Sequence, residues 1–172
     1  MSDWFEDPWI KFALNMGEDF FRYHNENLPE EAEHVWNENE FVYFCYAFTL
    51  YAARLKFERK MGKAFSDREA QYKENIKKEM DYTAQNPIEG LDLEKANYSV
   101  YKKREQEYLS LLFKGSGSIL STISMSPFKK ACKPFVSYSC KRYIFPGKEL
   151  IKIVHSWLVE KGIDFEKRID FI

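Results

Sequence analysis

The sequence predicts an all-α fold: one compact helical domain, residues 1–172, of about five main helices around a buried central helix at about residues 40–62. Three observations carry this reading. The thirteen residues Phe41 to Ala53 bear no charge, and Thr49 is their only non-aromatic polar side chain. Elsewhere, apolar residues recur at three- and four-residue steps. The six prolines and seven glycines fall mainly between these stretches.

The central stretch comes first because it sets the demand on the rest. A surface helix carries one apolar stripe, whereas this one is apolar or aromatic all round and must be surrounded. A lipid-spanning helix needs about 18 or more apolar residues, and the hydroxyls of Tyr43, Tyr46 and Tyr51 would go unsatisfied in hydrocarbon. The run passes without Gly or Pro into Leu55 and Phe57 and stops at Gly62. That length suits a helix better than a strand, with Asn39 as N-cap and Gly62 past the C-terminus.

In chain order, Asp7-Pro8 opens a first helix with Asp as N-cap and Pro at N1. Its stripe is Trp9, Phe12, Ala13, Met16, Phe20 and Tyr23, and it runs to about Asn25. After the central helix, Ser66-x-x-Glu69 reads as a capping box for a mostly polar helix to about Gln85, with the narrow stripe Tyr72, Ile76, Met80 facing inward. Asp92 reads as the N-cap of a helix closed by Gly115. Arg104 interrupts its stripe and reads as an ion-paired arginine at the core edge. Residues 115–145 are less regular. Ser126-Pro127 suits the start of a short helix, and Phe135 to Ser139 suits extended chain. Pro146-Gly147 begins a last helix on the face Leu150, Ile151, Val154, Trp157, Leu158, ended by Gly162. The apolar Ile169, Phe171 and Ile172 predict a docked tail. No internal repeat organises the chain.

The 45% hydrophobic and 17% aromatic content excludes a disordered chain. The cysteines Cys45, Cys132 and Cys140 are odd in number and form no CxxC pair. With an acidic N-terminus lacking a signal-peptide core, they predict a soluble, cytoplasmic, reduced protein, with Cys45 a core residue.

Catalytic motifs are absent. Glu31-x-x-His34 has di-metal bundle spacing but lacks the second copy such sites need, so a solvated acidic face is the simpler reading. There is no G-x-S-x-G and no Cys/His pattern, and Gly115-Ser116-Gly117-Ser118 follows a helix and lacks the phosphate-binding lysine. No histidine is preceded by arginine at the spacing used by one class of helical RNases. No cofactor or metal is implied.

The informative signal is a charge gradient hidden by the net charge of −1. Residues 1–50 hold eleven acids against Lys11 and Arg22, whereas residues 101–150 hold ten bases against Glu105, Glu107 and Glu149. The bland reading is that the two halves pack together and neutralise each other. Two functional readings compete with it. In the first, the chain is a non-enzymatic protein-binding protein. Glu30, Glu31, Glu33, Glu38 and Glu40, with Trp36 as aromatic anchor, form an acidic surface at about residues 26–40 that engages a basic protein partner. Small helical inhibitors of toxic nucleases, the immunity-protein class, are similar in architecture and charge, with no shared motif. An adaptor would fit equally. In the second, Lys129, Lys130, Lys133, Lys141 and Arg142 bind nucleic acid, with Phe128, Phe135, Tyr138 and Tyr143 between them to stack on bases. A helical enzyme with a site assembled from scattered residues is a third class to which no motif points.

Overall fold

The computed structural model describes residues 3–24, 38–86, 97–115, 128–139 and 147–172. Helix α1 (Pro8–Asp19) begins as the sequence predicts. Asp7 caps it, Oδ1 accepting from the Trp9 N–H at 2.9 Å, and Pro8 sits at N1. Trp9, Ile10, Ala13, Met16 and Phe20 are buried. Beyond Asp19 the helix widens into a π turn, Phe20–His24.

Helix α2 (Glu38–Ala53) is the predicted centre, and every residue from Tyr43 to Ala53 is buried. Each large side chain there contributes about 1.5–3 kcal/mol by burial. The helix continues through a π turn, Arg54–Glu58, and a last α turn, Arg59–Met61. It stops at Gly62, whose φ of 52° suits a residue without Cβ.

Helix α3 (Lys63–Gln85) follows directly. The expected capping box at Ser66 does not form, because the helix starts three residues earlier. That start buries Phe65 beside Trp9, ring centroids 6.1 Å apart. Glu69 instead accepts from Arg54 Nε at 2.7 Å. Tyr72, Ile76 and Met80 are buried as predicted.

Helix α4 (Tyr98–Gly115) is capped by Asn97, whose Oδ1 accepts from the Ser99 N–H at 2.8 Å. Asp92, Leu93 and Ala96 lie outside the described residues. Tyr101, Tyr108 and Leu112 face the core.

The less regular region holds a sixth helix, α5 (Lys129–Ser139). Phe135 to Ser139 is therefore helical rather than extended. Ala131, Cys132, Phe135, Val136 and Ser139 form one buried helical face, and that burial outweighs the cost of Pro134, which deprives the Lys130 carbonyl of its helical donor.

Helix α6 (Gly147–Arg168) passes through Gly162, where the sequence predicts an end. The helix continues because Lys161 and Phe165 extend the buried face of Leu150, Val154, Trp157 and Leu158. A Cβ at Gly162 would lie 3.9 Å from the Phe48 ring, so the two helices pass closely there. Ile169 and Phe171 then pack on the core as predicted, whereas Ile172 is 86% exposed and does not dock.

All six helices share one core, and the described residues contain no strand. Helices α1, α4, α5 and α6 surround α2, and α3 lies outside against α1 and α4. Among the described residues no helix is long and apolar enough to cross a membrane. Cys45 and Cys132 are buried thiols, and Cys140 lies outside the described residues.

Candidate functional site

Glu40 and Tyr138, one residue from each of the two stretches singled out by sequence, meet at one side chain, Arg104. It projects from the middle of α4 toward the first turn of α2 and the end of α5. Its Nε and Nη2 donate to the two carboxylate oxygens of Glu40, both at 2.9 Å. Its guanidinium carbon lies 3.7 Å from the centre of the Tyr138 ring. The Tyr138 hydroxyl donates to Glu107 at 3.0 Å, and Arg104 Nη1 approaches the same carboxylate at 3.8 Å. A planar guanidinium with a bidentate acceptor and an aromatic face is a pre-organised joint. Here it ties three helices together. The expectation of an ion-paired Arg104 at the core edge is met.

This geometry corrects part of each predicted surface. Glu40 is buried and committed to Arg104, so it does not belong to an open acidic face. A carboxylate in a run of glutamates reads as solvated until its partner, 64 residues away, is known. Glu38, two residues earlier, is exposed. Glu30, Glu31, Glu33 and Trp36 lie outside the described residues, as does His34.

On the basic side the aromatics are used internally. Phe135 is fully buried, and its ring stacks on Phe44 at 4.2 Å. Phe128 packs edge-on against Phe48, and Tyr138 lies under Arg104. Phe135 therefore offers no face to a nucleobase, and Phe128 and Tyr138 are each partly taken up by a partner inside the protein. Lys130 is exposed, Lys129 and Lys133 are on the same helix, and Lys141, Arg142 and Tyr143 lie outside the described residues.

The electrostatics around Arg104 favour holding over proton transfer. The Glu40 hydrogen bond raises the guanidinium above its ordinary range. The hydrogen bond to Glu107 raises the Tyr138 phenol, and burial raises that of Tyr108. Burial also pushes the Cys45 thiol well up and the Cys132 thiol up to about 12, which leaves both protonated and unreactive at neutral pH. Among the described residues no group of three metal-ligating side chains gathers.

Sequence reasoning missed a second polar junction. Arg68 of α3 forms a bidentate pair with Asp7, Nη2 to Oδ1 at 2.6 Å and Nη1 to Oδ2 at 3.1 Å. Its guanidinium carbon lies 4.0 Å over the Trp9 ring, and Asn75 donates to Asp7 at 2.8 Å. Arg68 lies four residues before Tyr72, at the edge of the narrow stripe on α3. On a polar helix such a residue reads as solvated, and only the buried cap Asp7 hinted at a partner. Close by, Phe12, Met16, Asp19, Lys161, Asp164 and Arg168 line part of a cleft of about 320 Å³ between α1 and α6. Its floor is neutralised, since Lys161 contacts Asp19 at 2.5 Å and Asp164 at 3.6 Å.

No family model, no curated protein and no solved structure matches this chain.

Proposed function

We propose that the protein acts by binding another protein, a basic partner met by the acidic segment that precedes α2, as an inhibitor or an adaptor would. One observation carries the preference over nucleic acid. Of the rings that would stack on bases, Phe135 is fully buried and Phe128 and Tyr138 are half-buried against Phe48 and Arg104, whereas Glu38 at the end of the acidic segment is exposed. Glu40 belongs to the scaffold in this reading. It anchors the first turn of α2 to Arg104 and so fixes where the acidic segment ends.

The test replaces Glu30, Glu31, Glu33 and Glu38 with lysine in the full chain. Immobilised wild type and variant are exposed to nuclease-treated lysate, and association rates are then measured with the species that the wild type retains. Charge complementarity acts chiefly on encounter, so the rate at low salt should fall about tenfold or more while helical circular dichroism is unchanged. An unchanged rate at low salt, or a retained species that is acidic, overturns the proposal.

A further inference from the structure

Residues 169–172 leave α6 and lie across α1, the π turn after α2, and α3. Three consecutive main-chain carbonyls of this strap are each held by a different element. Lys56 Nζ donates to Ile169 O at 2.7 Å, Trp9 Nε1 to Asp170 O at 3.3 Å, and Arg68 Nε to Phe171 O at 3.1 Å. Lys56 also donates to Glu166 O at 2.5 Å, one of the carbonyls that the end of α6 leaves open. Burial alternates along the strap. Ile169 and Phe171 pack against the core, while Asp170 and Ile172 are exposed, the period-two pattern of an extended peptide on a surface. The Phe171 ring packs edge-to-face against both Phe57 at 5.5 Å and Trp9 at 6.4 Å, which stack on each other at 6.1 Å.

The tripeptide Ile-Asp-Phe occurs twice, at residues 163–165 and 169–171. Phe165 also reaches Phe57, at 6.3 Å. Continued helix would place Phe171 about 240° around the axis from Phe165. Leaving the helix is what brings the second phenylalanine back to the same ring.

We propose that this surface is a peptide-binding groove, filled in cis by residues 169–172, that accepts in trans an extended segment of another protein with a hydrophobic residue two positions before an aromatic one. Side-chain donors to successive carbonyls recognise main chain whatever its sequence, and the stacked Trp9–Phe57 pair selects an aromatic that packs edge-to-face against it. The strap is peripheral, with Asp170 and Ile172 exposed and Ile169 and Phe171 only partly buried, so it opens at less cost than the core. This groove shares no residue with the acidic segment, and its test uses none of those glutamates.

The experiment uses full-length chains and a fluorescent peptide with the sequence of residues 166–172, blocked at both ends, followed by anisotropy. Phe171→Ala weakens the cis occupant and should bind the peptide at least about tenfold more tightly than wild type, in which the strap competes. Adding Lys56→Met should weaken that binding, and a peptide with alanine in place of its phenylalanine should not bind. Absence of saturable binding by a folded F171A chain overturns the proposal, as does binding that ignores the peptide's aromatic residue.

Discussion

The central helix is buried on all sides, yet two of its sides solve burial differently. Phe41, Phe44 and Phe48 look toward α5 and α6 and meet Phe135, Trp157 and Phe128 ring against ring. Tyr43 and Tyr46 look toward α3 and α4 and meet Tyr72, Tyr101 and the ends of polar side chains. There the Tyr46 hydroxyl donates to Glu79 at 2.8 Å and Tyr72 donates to the Tyr46 carbonyl at 2.9 Å. Tyr43 Oη accepts from the Asn97 N–H at 2.8 Å. On the phenylalanine side only shape must match. On the tyrosine side the hydroxyls of Tyr43, Tyr46 and Tyr72 also hold polar partners, so that side specifies which helix lies where as well as how tightly it packs. Two adjacent faces of one helix thus divide the work of stability and specificity.

Raising the pH should break the tyrosine side first, and it is the largest effect expected. Burial above all, reinforced by Glu79, Asp7 and Glu105 respectively, raises the phenols of Tyr46, Tyr72 and Tyr101 well above their ordinary range. The folded chain then holds protons that the unfolded chain releases near pH 10. Stability is therefore full below about pH 10 and lost as pH rises above it, at about 1.4 kcal/mol per pH unit for each tyrosine, or about 4 for the three. Tyrosinate absorbance should rise together with the loss of helical circular dichroism. Gradual ionisation with the helices intact would show that this side is wet.

Phe44→Ala should break the phenylalanine side by about 3–5 kcal/mol, because Phe135, Tyr108 and Trp157 cannot all close on the gap. Urea unfolding should report a lower midpoint with an unchanged slope. Tyr46→Phe should sharpen the contrast with a loss of only about 1 kcal/mol by the same measurement. It keeps the ring and removes one hydrogen bond, and Glu79, only partly buried, turns to water. If Y46F costs as much as F44A, the hydroxyl network is worth more than its bonds taken singly.

The parts of the fold that were legible are those where composition and spacing agree. Phe41 to Ala53 could only be enclosed, and Asp7-Pro8 could only start a helix. Helix α5 was legible in principle, since Ala131, Cys132, Phe135, Val136 and Ser139 keep helical spacing, but small and polar members and Pro134 masked the stripe. Gly162 misled because a glycine within a helix looks, in sequence, like one beyond its end. At the site, Arg104 stood out as a cation on an apolar stripe, whereas its partner Glu40 was hidden among glutamates. The donors that hold the strap were illegible for a deeper reason. Lys56, Arg68 and Trp9 recognise main chain, which leaves no complementary pattern in the residues recognised.

The π turn at Arg54–Glu58 has a consequence for how the chain tolerates changes in length. A π turn accommodates an additional residue within a helix without opening a loop. Everything before it, including the enclosed Tyr43–Ala53, keeps its register whatever happens beyond. The residues of the turn itself are re-aimed, Phe57 toward Trp9 and Lys56 toward the strap. The central helix therefore works as two rods joined by a slip coupling. Insertions and deletions that would be ruinous in its first sixteen residues become, at its end, a means of turning one face of the molecule against a fixed interior.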